Sequence, residues 1–560
     1  MSDSVHALRV KATETYIQSL ANAPLPLPAV MESELLTETK ALIAIVNLSI
    51  PKGEKLRMPQ RLTPWQIAQL MNASHTFKKI AMSGLNGSEK SYDVIGMYQE
   101  DGPDKGLYIF DEDDMRSIAR KYDDAINGNE FEEILRCLRE ECDRVERCSD
   151  PNLIAVNNGI FDYNTKTLMP FSPEYVFTSK SRVNYNPLAV NVNIHNENDG
   201  TDWDVESWMH TLSDDDDIVD LFWEILGAIV RPNVSWDKSA WFYSETGNNG
   251  KGTLCELMRQ LCGDGSYAAI KLNDMDKDFV LEPVIHATAI ICDENDVGTF
   301  IDKAANLKAL ITGDPVQINR KFKQPIAYRF RGFMVQCINE MPKVKDKSDS
   351  FYRRQLFVPF TKCFKGIERK YIKDDYMHRQ EVLEYVLQKV LNMNYTELSE
   401  PDACKDALDE YKEFNDPTRA FWEEMKDQFA WDLLPSGFLY DLYRSWYSKN
   451  IPTGSPSGKI VFMKTLRPIA TASGEWFQPK QDAKRSNKMD APEMLISQYN
   501  LRDWMNVRYL GTTDLTKLCT YPVQNMAEPE KEKYQALQRT SWKSPSRSGK
   551  KGQRSTVKDN

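Results

Sequence analysis

Trp241-Phe242-Tyr243-Ser244-Glu245-Thr246-Gly247-Asn248-Asn249-Gly250-Lys251-Gly252-Thr253-Leu254 is the stretch whose reading decides the fold. Aromatic residues lead into a Gly/Asn turn, a lysine follows, and an amphipathic run continues over residues 254–261. This order predicts a buried strand, a turn whose backbone N–H groups face an anion, and a helix whose N-terminus favours negative charge. In such a loop the lysine reaches the β/γ-phosphates of a nucleotide. Gly247, Asn248, Asn249, Gly250, Lys251, Gly252 and Thr253 are therefore the candidate nucleotide-binding residues. Two positions depart from the strict pattern: Glu245 stands where glycine is expected, and Gly252 where Ser or Thr would hold Mg²⁺. Thr253 is the nearest hydroxyl. Taken alone, the loop also reads as an ordinary Gly/Asn turn.

Working outward, the chain has 560 residues, room for about three or four domains. It is 41% hydrophobic and 27% charged, the composition of an ordinary globular protein with material for a core. No apolar run approaches a membrane span of ~20 residues, and residues 1–10 lack a signal-peptide pattern. A cytoplasmic protein without a membrane partner is expected. The ten cysteines are scattered, and Cys255, Cys292 and Cys337 fall in apolar segments, as buried free thiols do. Cys137, Cys142 and Cys148 lie in a charged helical stretch without a nearby histidine, which is poor zinc-site spacing. The net charge of −11 counts mildly against a nucleic-acid binder, but allows basic residues to line a channel inside an acidic exterior.

Downstream of the loop, residues 287–292 form a nearly continuous apolar run, as a strand covered on both faces does. It ends in Asp293-Glu294, at the strand edge where ligands bind in open α/β sheets. Asp293 is a candidate Mg²⁺ ligand, and Glu294 a candidate to orient the attacking water. A helix over 302–312 ends at Gly313. Residues 315–320 and 325–330 then alternate as the strands of a hairpin. Arg320, Lys321 and Lys323 surround Phe322 at its tip, a grouping suited to phosphates and a base or equally to a solvated turn. Another buried strand, 332–338, ends in Asn339. Arg353-Arg354 precede the apolar strand 356–360 and offer guanidinium groups to a phosphate.

Upstream, residues 1–60 carry no chemistry. Thr63-Pro64 opens a helix, and residues 106–110 read as a strand. Asp111-Glu112-Asp113-Asp114 resembles a metal-binding Asp-x-Asp, but an N-terminal cap with acids in the first turn is the simpler reading. A second helix is predicted over 131–145. Asn157-Asn158 turns between short strands, with residues 183–187 completing a β segment, and 203–230 reads as one or two helices. Beyond 400, helices are predicted over 406–414, 418–429, 436–449 and 459–470, with a hairpin joining Trp476-Phe477 to Lys484-Arg485. Residues 543–558 carry six Lys/Arg and read as a disordered segment that contacts DNA or solubilises the end.

Each signal is ambiguous alone, but their order is specific. The loop at Lys251, acids at Asp293-Glu294, basic hairpin, Asn339 and Arg353-Arg354 together resemble the superfamily 3 helicases. Within these the chain resembles the phage, plasmid and poxvirus primase-helicase branch. The resemblance implies an α/β fold with an AAA+-like P-loop ATPase core over 236–395. A mixed α/β helicase-associated domain would span 61–235 after an accessory segment 1–60. A winged-helix-like domain would span 396–525, with the basic tail at 526–560. ATP and Mg²⁺ are the implied cofactors. Single-stranded and forked DNA, a ring of subunits (commonly a hexamer) and a separate primase or other replication protein are the implied partners. Lys251 and Thr253 would contact phosphates and metal, Asp293 and Glu294 would be the Walker B acids, and Asn339 the sensor. Arg353 or Arg354 would be the finger reaching a neighbour's nucleotide, and Lys321 and Lys323 would grip DNA. The implied function is an ATP-driven replicative helicase of a mobile element. Alternatives are a primase-helicase with N-terminal primer synthesis, and a nucleotide-binding origin-recognition or loading protein without unwinding activity.

Overall fold

The computed structural model describes residues 3–21, 24–84, 93–321, 323–450, 455–484, 491–520 and 533–540. Phe322, Arg485 and the basic tail lie outside the described residues. The chain divides into two compact units, Met1–Leu408 and Asp409–Asn560. Both mix helices with small sheets, so the fold is of mixed α/β type.

The first unit begins with helices whose ends are set by short-range chemistry. Pro64–Ser74 starts with a capping box between Thr63 and Gln66 and a proline in its first turn. Asp111 caps Glu112–Tyr122 by accepting from the N–H groups of Asp113 and Asp114 at 2.8 and 3.3 Å. The acidic run is therefore a cap and first turn, with its charges where the helix dipole favours them. The helix predicted over 131–145 instead spans Gly128–Glu141. Arg144–Glu146 leaves it to pair in parallel with Phe77–Ala81 in a four-stranded sheet. A long-range contact overrides the local pattern, because Arg144 forms an ion pair with the buried Asp93 carboxylate at 2.6 Å.

Strands Leu153–Val156, Gly159–Asp162 and Thr167–Met169 form an antiparallel sheet turned at Asn157-Asn158. Asn158 brackets the backbone of Tyr185, accepting from its N–H at 2.9 Å and donating to its carbonyl at 3.0 Å. Gly159 is required here: a Cβ would stand 2.4 Å from the Met169 carbonyl oxygen. Residues 203–230 form two helices, Val205–Thr211 and Asp216–Val230.

The centre of the unit is a five-stranded parallel sheet. Its strands run in the order Tyr267–Ala268, Ala289–Cys292, Phe333–Ile338, Ser239–Tyr243, Gln355–Pro359. Every residue of Ala289–Cys292 and Phe333–Ile338 is buried, as expected where helices cover both faces. Ile290 and Ile291 are fully buried; burying each side chain contributes about 1.5–3 kcal/mol. After Ser239–Tyr243 the chain crosses to the far edge and works back, so the segments after Tyr243, Cys292 and Ile338 emerge along one edge. The Pro315–Arg320 and Lys323–Arg329 hairpin forms as the alternation predicts.

In the second unit, Pro417–Met425, Ser436–Asn450 and Lys459–Thr471 surround an aromatic core with Trp431, Trp476 and Trp504 buried in it. Arg485 lies outside the described residues, and among those described Trp476–Phe477 and Lys484 do not pair with each other. Trp476–Phe477 pairs with Ala536–Arg539, and Ala483–Lys484 with Lys533–Tyr534. The Trp476 ring packs edge-on to Trp422 and Phe429 under the Arg539 guanidinium, and that packing selects the more distant partner.

Candidate functional site

Ser239–Tyr243 delivers the chain into the 244–250 loop, and helix Lys251–Cys262 begins directly after it. The loop turns through left-handed backbone at Asn248 (φ 56°) and Gly250 (φ 89°). Gly250 also packs close to Leu212, whose Cδ2 would meet a Cβ at 2.5 Å. The Asn249 amide donates to the Thr246 carbonyl and its oxygen accepts from the Lys251 N–H, stiffening the turn.

Lys251 is 5% exposed. Its ammonium donates to Asn339 Oδ1 at 2.7 Å, the Ile338 carbonyl at 3.0 Å and the Ser244 carbonyl at 3.4 Å. All three acceptors are uncharged. Burial pulls the lysine below its ordinary pKa range, because removing a cation from water costs free energy that neutral acceptors only partly offset. An anion would complete the site.

The acid pair follows the end of Ala289–Cys292, which lies two strands away from Ser239–Tyr243 in the sheet. Asp293 Oδ2 is 2.5 Å from Arg259 Nη2 of the helix that follows the loop. Glu294 is exposed beside it. Asn295, which no local sequence pattern marks, is 5% exposed and locks this strand end in place. Its amide donates to Gln336 Oε1 and the Cys337 carbonyl, both at 3.0 Å, while its oxygen accepts from Leu272 N–H at 2.8 Å. Among the described residues no group of three or more His, Cys, Asp or Glu could hold a metal ion. Mg²⁺ bound through one or two protein oxygens, phosphates and water needs no such group; here Thr253 offers a hydroxyl oxygen and Asp293 a carboxylate that is paired with Arg259.

Arg353 and Arg354 are at the other end of the sheet. Gln355 pairs with Ser239, and Pro359 with Tyr243, so a strand length of roughly 15 Å separates the arginines from the loop of their own chain. Arg354 folds back onto Ser350, donating to its carbonyl and, at 2.8 Å, to its hydroxyl. Arg353 is exposed.

The hairpin is braced at its base, where Arg147 stacks over Tyr328 at 4.5 Å and donates to the Arg329 carbonyl. Lys321 and Lys323 are exposed. Arg320 is less open: its Nε donates to the Gln324 carbonyl at 2.9 Å, and burial draws its pKa down against the opposing pull of Glu112 and Glu282. It lines a small cavity of about 190 Å³ with Asp93, Glu112 and Arg139.

A larger cavity of about 1120 Å³ opens beside the loop. Gly250 and Thr253 line one wall, Trp203, Trp208 and Leu212 a second, and residues 364–374 a third. The last segment is tied to the loop, since Phe364 N–H donates to the Asn248 carbonyl at 2.7 Å and the Asn248 amide to Glu368 at 2.9 Å. No local pattern in the sequence announced this third wall.

Three stretches of the chain match known families. Residues 65–215 match a family described as "D5 N terminal like", and residues 413–506 one described as "Poxvirus D5 protein-like". Residues 242–354, which contain the loop and acid pair, match a family of unknown function. Two of the three matching models are thus of D5 type. Comparison with curated proteins returns no match. Among solved structures, the A form of the apo NrS-1 C-terminal region is 13% identical with a TM-score of 0.40, covering 79% of this chain and 91% of that one. A second apo structure of that region is 12% identical with a TM-score of 0.41, covering 76% and 98%. No helix among the described residues is long and apolar enough to cross a membrane.

Proposed function

We propose that the chain is an ATP-driven DNA helicase of the superfamily 3 type, with an AAA+-like core, acting in replication of a mobile element. The observation that carries this reading is the buried Lys251 ammonium, held only by uncharged acceptors at the start of a helix after a parallel strand. That arrangement suits the phosphates of a nucleotide. The two D5-type matches support a replication role.

In this reading the 247–250 backbone and Lys251 hold the β/γ-phosphates. Asn339, already bonded to Lys251, stands where it can report on the terminal phosphate. Glu294 orients the attacking water and accepts its proton. Thr253 and Asp293 would hold Mg²⁺, which when bound neutralises the charge that develops on the phosphates. Since Arg353 is a strand length away from its own loop, it serves a neighbouring subunit, which makes a ring the working form. Lys321 and Lys323 contact the DNA backbone within it. Primer synthesis gains nothing from Asp111, whose carboxylate is occupied as a helix cap.

Strand separation of a forked duplex tests the proposal. ATP-dependent release of the labelled strand, absent with Lys321→Ala/Lys323→Ala, is expected. ATP turnover without strand release would favour a loading protein instead.

A further inference from the structure

Gly252 stands where the strict loop pattern has a hydroxyl residue. Its surroundings give it another meaning. A Cβ built on Gly252 would lie 3.7 Å from Lys373 Nζ. The ammonium of Lys373 therefore reaches over the first turn of the helix, across the wall formed by residues 364–374.

A cation is out of place there. The N-terminal turn of a helix carries partial positive charge, and Lys251 adds a full one. Lys373 is half-buried, and no ion pair or hydrogen bond holds it among the described residues. Three of the four carboxylates lining the cavity are already engaged. Asp202 pairs with His195 at 2.9 Å, Asp204 caps helix Val205–Thr211, and Glu368 accepts from Asn248. Among the described residues neither lysine at this helix start is in an ion pair, although Asp374 also lines the cavity, and two unpaired cations suit an anion of more than one charge.

We propose that Lys373 is a phosphate-contacting residue of the nucleotide site, and that the cavity between Trp208, Leu212 and residues 364–374 receives the nucleoside. The proposal rests on the nucleotide-binding reading above. The absence of a side chain at 252 leaves the approach of Lys373 to the phosphates open, so the departure from the strict loop pattern and the second cation form one device. The apolar wall suits the face of a base, as ligand cavities are mostly apolar with few placed polar groups.

The test is steady-state ATP hydrolysis and equilibrium binding of a fluorescent ATP analogue, on the full chain. Lys373→Ala should raise KM and the analogue's Kd about tenfold or more, and Lys373→Arg should restore most of the loss. Gly252→Val places bulk where Lys373 Nζ passes. It should weaken binding similarly, and its effect should largely disappear in the Lys373→Ala background. Unchanged KM and Kd in Lys373→Ala, with Lys251→Ala still abolishing binding, overturns the role of Lys373 and leaves the loop reading intact. Binding that survives Lys251→Ala overturns the loop reading and this proposal with it. If circular dichroism shows Lys373→Ala to be misfolded, Gly252→Val and Lys373→Arg decide the matter. A Gly252→Val protein that binds the analogue as tightly as wild type then counts against it.

Discussion

Lys251 Nζ donates to Asn339 Oδ1 across 2.7 Å, joining two residues 88 positions apart in the chain. The bond ties the start of the loop helix to the end of the Phe333–Ile338 strand. Replacement of Asn339 by alanine removes one of three acceptors from a buried ammonium while leaving the two carbonyls. Nucleotide affinity should change less than threefold, whereas kcat should fall by about 10- to 100-fold, the scale of losing one oriented polar group in the transition state. Binding and turnover measured side by side distinguish this from simple unfolding.

The position of Arg353 at the opposite sheet edge leads to a complementation result. Lys251→Ala and Arg353→Ala should each hydrolyse ATP poorly, since a finger arginine contributes about 10³–10⁵ in rate. Mixed before ring assembly, the two proteins should regain activity, because some interfaces then combine an intact loop with an intact arginine. Activity that stays at the level of the separate variants would contradict action between subunits. Arg354→Ala, whose side chain is bonded to Ser350, should behave closer to wild type.

Asn295 gives a stability prediction independent of any ligand. Its side chain satisfies Leu272 N–H and the Cys337 carbonyl in a buried setting. Asn295→Ala leaves these groups unpaired, at a cost of about 1–3 kcal/mol per buried unsatisfied group. A denaturant titration should show the first unit's midpoint shifted down.

How much of this was legible in the sequence follows the range of the interactions. The Asp111 cap, the 157–158 turn and the hairpin depend on neighbours a few residues away, and local pattern found them. The buried strands declared themselves by continuous apolar runs such as Ala289–Cys292. The end of helix Gly128–Glu141 was misjudged because Asp93 draws Arg144 into a sheet. Arg259 and Asn295 were missed for the same reason: each owes its role to a partner on another element. Arg259 is a helical cation like any other until the fold sets it on Asp293.

Lys180 supplies a pH prediction. Its side chain is 1% exposed and its ammonium donates to the Lys105 carbonyl at 2.9 Å. Burial, with Arg182 nearby, lowers its pKa to about 8. Between that value and the unfolded pKa near 10.4, the unfolded chain binds the additional proton, so this residue's contribution to stability rises with pH. Relative to Lys180→Met, the wild-type melting temperature should therefore climb from pH 7 to pH 10. A pH-independent difference between the two proteins would mean the folded lysine keeps its ordinary pKa.

ATP hydrolysis with and without single-stranded DNA, for wild type and Lys251→Ala, tests most directly whether the loop at Lys251 powers work on DNA. Turnover should be stimulated severalfold or more by DNA and abolished by the substitution, with the circular dichroism spectrum unchanged. Nucleotide binding by the wild type without turnover, in the presence of DNA and Mg²⁺, would contradict that role.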